Sequence, residues 1–533
     1  MDTKIKNPQV IIVGSGFAGL YMLYKLREIN IDAIVLEKAS GVGGTWFWNR
    51  YPGARCDIES IEYSYSFSED LQQEWNWSNR YSDQSEILDY LNHVADRFDL
   101  RKDIVFNSTV LSATYNESSK EWEIKTDSHS YKSKFCVMAT GTLSSIKEPD
   151  FIGLNQFEGD WYITGKWPHE GVDFKNKKVG IIGTGSSAVQ SIPVIAKTAE
   201  HLTVFQRSPN YSIPANNKPL SKKEIINAKS NYSQIRKNAK YTRAGIGYNQ
   251  FEEKKILDFS KDFINAELSR RWDIGGQEIF TAGFTDVGVE PDANKIAADF
   301  VRSKIKEIVK DSVTADLLSP KDSIGCKRLC ADTNYFETYN LKNVELIDIN
   351  STPIESITKN GLCTNTKEYD FDILIFATGF DAMTGALLAI DIIGKNNIKL
   401  KDKWKDGPRS YLGISISDFP NLFTVTGPGS PSVLTNMIVA IEQHIEWIFD
   451  CINYLNKTNK YEIEANIKYE NQWMEHIEEV ASNTLRYTCN SWYVGANVPG
   501  KKRVFMPYAG GFGKYREKCD EVAKNNYEGF KII

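Results

Sequence analysis

VGIIGTGSSAVQSIPVIAK, residues 179–197, reads as a short apolar strand, a glycine turn and an amphipathic helix. The same order stands earlier, in VIIVGSGFAGLYMLYKL at residues 10–26, so one chain carries two such turns. In the earlier unit Gly14, Ser15, Gly16 and Gly19 spell G-x-G-x-x-G. Its first glycine permits the tight turn, its second lets the backbone approach a pyrophosphate, and its third lets the helix pack on the strand, while the helix N-terminus supplies amide donors. The next strand, IDAIVLE, ends on Glu37, where a carboxylate can accept from ribose hydroxyls. In the later unit Gly183, Thr184, Gly185, Ser186 and Ser187 form the turn, with Ala188 at the third glycine position. The following strand, HLTVFQRS, offers Gln206 and Arg207 in place of Glu37. A carboxylate repels a ribose 2′-phosphate and an arginine pairs with it, so the second nucleotide reads as NADP rather than NAD. The other reading of Arg207 is a solvated surface charge.

Two more apolar strands, FCVMATG (135–141) and DILIFATGFD (372–381), close on glycine turns and suit the buried strands of parallel sheets. They read as crossings between nested domains. The expected fold class is therefore α/β, with two nested Rossmann-like dinucleotide-binding domains. Residues 1–143 and 381–533 form the first, and residues 144–380 the second, with a helical insertion at about 215–323. The Lys-, Glu- and Ala-rich stretches 222–240 and 290–310 predict helices with polar outer faces in that insertion.

With 533 residues, 41% hydrophobic and 25% charged, the chain has material for two to four domains. A formal net charge of -5 without long runs of Lys or Arg leaves no footprint for nucleic acid. No window holds the roughly 18 uninterrupted apolar residues of a membrane span, and residues 10–13 read as a buried strand rather than a signal peptide. The eight cysteines include no C-x-x-C and read as free thiols of a cytoplasmic protein. The six histidines show no metal-ligand spacing, and no metal site is expected.

Two dinucleotides, on an acid-ended and an arginine-ended unit, point to FAD with NADPH, the flavin as redox centre and the nicotinamide as hydride source. Without a C-x-x-C pair to take the electrons, oxygen is the remaining common acceptor. GVGGTWFWNRYPGARCDIES (41–60) adds a second close-approach loop at Gly43, Gly44, Thr45 and Trp46, followed by Arg55 and Asp57. On local sequence Asp57 reads equally as a cap or surface acid, and the adjacent Lys327 and Arg328 as a solvated face.

GSGFAGL, GGTWFWNRYPGARCDIES, GTGSSAVQ, FQRSPN, KRLCADTNYFET, ATGFDAMTGAL, GPGSPSVLTNM and SWYVGANVPGK follow one another in this order. Through them the chain resembles the type I Baeyer–Villiger monooxygenases over nearly its whole length, nearest the phenylacetone and cyclohexanone monooxygenase group. The resemblance implies FAD, NADPH/NADP+ and O2, a ketone converted to an ester or lactone, sulfide oxidation as a side activity, and a monomer. It implies that Arg328 stabilises a peroxyflavin and its tetrahedral adduct with the ketone, and that Asp57 orients this arginine. Lys327 and Arg207 match contacts to the 2′-phosphate, Tyr63 a position near the flavin, and Leu434 and Met437 positions at the substrate pocket. Trp492 matches a residue over cofactor and substrate, on a mobile loop near 488–505.

One segment departs from the pattern. FEGDWYITGKWP (157–168) matches the family's F-x-G-x-x-x-H-x-x-x-W-P at Phe157, Gly159, Trp167 and Pro168, but Ile163 holds the histidine position. Isoleucine neither hydrogen-bonds nor carries a proton. Three accounts stand open: a tolerated natural variant, an engineered change, or an enzyme whose NADPH reaction is poorly coupled to oxygenation. The rival readings are a flavin-containing N- or S-monooxygenase and an uncoupled NADPH oxidase, the second resting on Ile163.

Overall fold

The computed structural model describes residues 7–248, 254–277, 280 and 283–533. Residues 1–6 of the expected first domain, and 249–253, 278–279 and 281–282 of the expected insertion, lie outside the described residues. Two five-stranded parallel sheets organise the chain. In the first, Val10–Val13 is central between Ala33–Leu36 and Phe135–Met138, with Ile104–Val105 and Leu422–Thr424 at the edges. In the second, Lys178–Ile182 is central between His201–Gln206 and Ile373–Phe376, with Val344–Asp348 and Asp160–Ile163 at the edges. Val10–Val13 is buried throughout and Lys178–Ile182 at all but its first residue, as sheets covered on both faces require.

The crossing strands play the same part in both sheets. A Cβ at Gly14 would lie 2.6 Å from the Ala139 carbonyl oxygen, and one at Gly183 would lie 2.5 Å from that of Ala377. Both glycines also take left-handed φ angles, +102° and +115°. Only glycine lets the crossing strand come so close to the turn. The Ala-Thr-Gly that follows each crossing strand is thus the second half of each turn's construction.

The C-terminal segment returns to the first sheet, where Leu422–Thr424 pairs with Phe135–Met138. Helix Met437–Lys457 then buries Ile441, Ile445 and Ile448 in one core with Leu20 and Leu23 of helix Phe17–Glu28. The Lys- and Glu-rich helices divide between the two cores. Lys222–Ala239 opens on a capping box of Ser221 and Glu224 and sends Ala228, Tyr232 and Ile235 into the first core. Lys261–Ile274 and Pro291–Ile308 send Leu268, Val301 and Ile305 into the second. Among the described residues no helix is long and apolar enough to cross a membrane.

The expectation of eight free thiols is corrected at one pair, Cys326 and Cys489, which form a disulfide with their Cα atoms 6.1 Å apart. They stand 163 residues apart, so the tertiary fold alone brings them within bonding range. Reducing this bond, or Cys326→Ser, is expected to lower unfolding free energy by about 2–4 kcal/mol. The check is the urea midpoint with and without dithiothreitol; equal midpoints, in protein whose disulfide mass spectrometry shows intact before reduction, contradict it.

Candidate active site

Helices Phe17–Glu28 and Ser186–Ile195, which follow the two glycine turns, start on glycine N-caps without any side-chain cap. By contrast, the helices that start after Ser68, Asp83, Ser221 and Ser260 are closed by those residues' own side chains. The first-turn amides at both glycine turns are therefore left for an outside acceptor, and a phosphate also suits the helix dipole. A Cβ at Gly185 would meet nothing within 4 Å, so no protein atom demands glycine there. The open space leaves the backbone there approachable by a phosphate. Over the first turn lies the second glycine loop: the Gly43 amide donates to the Ser15 carbonyl at 3.1 Å, and a Cβ at Gly44 would stand 2.9 Å from Gly16 Cα.

Glu37 closes the first seat. Its Oε2 accepts from the Ser15 amide at 2.6 Å and from Ser15 Oγ at 2.9 Å, and its Oε1 accepts from the Ala39 amide at 2.7 Å. At the second seat Gln206 turns away, its Nε2 donating to the Leu317 carbonyl at 2.8 Å, while Arg207 stays exposed at the rim. Thr184 Oγ1 donates to the Ser208 carbonyl at 2.9 Å, and Ser187 Oγ lies 3.2 Å from Thr164 Oγ1. Lys147, a cation the sequence reading missed, also belongs here. Burial and the nearby charge of Arg207 lower its pKa, and its Nζ donates to the Asn497 carbonyl at 2.7 Å. Lys327 pairs with Asp322 at 2.8 Å.

The Asp57 segment joins the two seats. Gln190, on helix Ser186–Ile195, donates to the Arg55 carbonyl at 3.0 Å and accepts from the Tyr51 hydroxyl at 2.9 Å. A Cβ at Gly53 would lie 2.4 Å from the Gln190 carbonyl oxygen, so this contact needs a glycine. The Arg55 side chain donates to the Tyr81 carbonyl. Trp46 Nε1 donates to the Tyr63 hydroxyl at 3.2 Å, and burial raises the Tyr63 pKa.

Arg328 meets Asp57 through two parallel hydrogen bonds, Nε to Oδ2 at 2.9 Å and Nη2 to Oδ1 at 2.8 Å. Its Nη1 donates to the Val433 carbonyl at 2.7 Å. Arg328 lines a cavity of ≈ 520 Å³ together with Leu434, Asn436 and Tyr493. Met437 and Trp492 are not in that lining; they pack beside it in an apolar cluster with Val433 and Tyr493. The loop that carries Trp492 is tied to the segment after the second crossing strand. Asn497 Nδ2 donates to the Phe380 carbonyl at 2.7 Å, and Lys501 Nζ donates to Asp381 at 2.5 Å and to Thr384 Oγ1 at 2.7 Å.

Ile163 ends its strand opposite Phe376, buried among Ile182, Phe205 and Leu374. Asp322, Cys326 and Cys489 present ligand atoms within 4.8 Å of one another, but the sulfurs are bonded together and the carboxylate pairs with Lys327. Gln190 and Tyr493 lie within GTGSSAVQ and SWYVGANVPGK, but nothing local gives them a role there, and no motif marks Lys147 or the two cavity arginines, Arg243 and Arg486.

Arg207→Gln tests the second seat. Removing a charge-assisted pair is expected to reduce the preference for NADPH over NADH about 10- to 100-fold, read as the ratio of the two kcat/KM values. An unchanged ratio contradicts the assignment.

Comparison with known proteins agrees with this arrangement. The sequence profile of the pyridine nucleotide-disulphide oxidoreductase family matches residues 11–265. A Baeyer–Villiger monooxygenase of Pseudooceanicola batsensis is 41% identical over 521 residues, covering 97% of this chain and 95% of that protein. A solved steroid monooxygenase bound to NADP is similar at a TM-score of 0.95 and 47% identity, over 99% of this chain and 100% of its own. OTEMO in complex with FAD and NADP is similar at a TM-score of 0.95 and 38% identity, with the same coverage of 99% and 100%. By these likenesses, which extend over nearly the full length of the chain, it belongs to the Baeyer–Villiger monooxygenase family.

Proposed function

We propose that the protein is an FAD- and NADPH-dependent Baeyer–Villiger monooxygenase that inserts one oxygen atom of O2 beside a ketone carbonyl, giving an ester or lactone. The observation that carries this reading is Arg328, its guanidinium held by Asp57 and the Val433 carbonyl, in the wall of a cavity of ≈ 520 Å³. Bound at the first seat, the flavin would supply the redox chemistry, taking hydride from NADPH and activating oxygen.

The chain's own residues supply position and charge. The uncapped helix starts at Gly16 and Gly185 would hold the two pyrophosphates, Glu37 the ribose of FAD, and Arg207 with Lys327 the 2′-phosphate of NADPH. Arg328 would stabilise the negative charge that develops on oxygen as it attacks the carbonyl and on the former carbonyl oxygen. Arginine suits this better than lysine, since it stays charged at every working pH and its planar fork fits the Asp57 carboxylate. Asp57 fixes the direction of that charge and partly offsets it. Ile163 offers no proton or hydrogen bond, so any coupling role of the family histidine falls to other groups.

The same reading divides the chain into an FAD-binding part, residues 1–143 and 381–533, and an NADP-binding part, 144–380. It takes the loop near 488–505 as the piece that moves over the coenzyme. Electrons going to a disulfide is the reading the family profile's name suggests. Here Cys326 and Cys489 are buried and line no part of the cavity, while burial pushes the Cys330 thiol up to about 12.

The test is NADPH consumption in air with aryl, linear and cyclic ketones, with ester and hydrogen peroxide quantified together. Ester approaching one per NADPH for at least one ketone is expected, falling about 10²- to 10³-fold in Arg328→Met. Peroxide as the sole product with every ketone, or an Arg328→Met variant as active as the parent, contradicts the proposal.

A further inference from the structure

The cavity at Arg328 is lined by four cationic residues, Arg243, Lys327, Arg328 and Arg486, and by no Asp or Glu among the described residues. Two of the four are already paired, Arg328 with Asp57 and Lys327 with Asp322. Among the described residues Arg243 and Arg486 meet no carboxylate. Burial, together with the like charges of Arg243 and Arg328, lowers the Arg486 pKa. Two like charges beside one partly enclosed space repel each other, and an anion entering the space relieves that repulsion. The remaining lining is largely apolar, with Ile246, Val287, Leu434 and Leu485 among it.

Backbone hydrogen bonds anchor the segments that carry both arginines. Arg486 lies in the short turn Leu485–Tyr487, anchored by the Leu485 amide on the Gly288 carbonyl at 3.0 Å. Three residues further on, Cys489 is bonded to Cys326, two residues before Arg328, so the disulfide fixes the Arg486 segment relative to the Arg328 segment. The Arg243 carbonyl accepts from the Phe512 amide at 2.9 Å, at the start of helix Phe512–Lys524. The glycine turn 183–187 and Arg207 are absent from the cavity lining, and of its four cations Lys327 alone is assigned to the second nucleotide seat, which leaves Arg243 and Arg486 outside it.

We propose that this cavity selects ketones bearing a carboxylate, with the carbonyl at Arg328 and the carboxylate between Arg243 and Arg486. This rests on the Baeyer–Villiger reading for the role of Arg328. The substrate is thus an oxo acid with an apolar body, whose product is an ester or lactone still carrying its acid group.

The test compares each acid with its neutral amide of nearly the same shape: 4-acetylbenzoate with 4-acetylbenzamide, and 5-oxohexanoate with 5-oxohexanamide. Binding to the FAD enzyme loaded with NADP+ is measured by calorimetry, and ester formation is measured alongside. In at least one pair the acid is expected to bind about tenfold or more tightly than the amide, one charge-assisted pair's worth. Arg486→Met and Arg243→Met should each bring that ratio toward one, and Arg486→Lys should restore part of it. Equal or weaker binding of both acids overturns the proposal, as does a fall in NADP+ affinity, rather than in the acid-to-amide ratio, in the arginine variants. Ester formed from the amides without preference for the acids removes the carboxylate selectivity and leaves the Baeyer–Villiger reading intact. Acid preference in binding with no ester from any ketone supports the carboxylate site and removes that reading instead.

Discussion

Asp57 and Arg328 are 271 residues apart in sequence, yet they meet through two hydrogen bonds of 2.8 and 2.9 Å. A charge that is to act on a developing oxyanion must be fixed before the reaction, because reorienting it during the reaction forfeits much of its effect. The bidentate geometry fixes both direction and distance, which a single contact would not. The third guanidinium contact, to the Val433 carbonyl, ties the same charge to the C-terminal segment. Three remote pieces of chain therefore converge on one side chain, and the fold can be understood as the means of bringing them together.

The connections around that point follow from close backbone approach. Gly14 and Gly183 let the crossing strands reach the nucleotide turns, and Gly53 lets the Asp57 segment rest on helix Ser186–Ile195. Through Gln190, that helix is hydrogen-bonded to Arg55, two residues before Asp57. A coenzyme seated at the helix start would thus sit on the element that supports the aspartate. The disulfide adds a covalent tie between the Arg328 segment and the segment leading to Trp492. Polar contacts of Asn497 and Lys501 hold that loop to residues 380–384, and such contacts are more easily broken than buried apolar ones.

Legibility in the sequence follows the distance over which each feature is determined. The glycine turns, their strands and the contrast between Glu37 and Arg207 are written within single strand–turn–helix–strand units, so residue types and spacing suffice. The crossing strands are legible as buried parallel strands, and their place beside each turn is then a matter of sheet construction. Asp57 and Arg328 are not distinguishable from surface charges by local sequence; only the resemblance of long ordered segments singles them out. Cys326 and Cys489 carry no spacing signal, and the eight scattered cysteines therefore read as free thiols. Helix Lys222–Ala239 shows its apolar face in the sequence, but the core that receives it depends on packing, with Arg236 donating to Ser64 Oγ at 2.7 Å. Arg243 and Arg486 are illegible for the same reason: each is an ordinary charged residue until the fold turns both toward one cavity.

The most direct measurement of the central claim is the ratio of ester to hydrogen peroxide per NADPH in Asp57→Asn, on the ketone best used by the parent protein. Asparagine keeps the size and one acceptor but loses the second acceptor and the charge that hold Arg328. If the oriented guanidinium directs oxygen to the carbonyl, the ratio falls about tenfold or more while reduction of the flavin by NADPH continues. A ratio equal to the parent's, at an undiminished rate of ester formation, would show that the Asp57–Arg328 pair is not what commits this site to its chemistry.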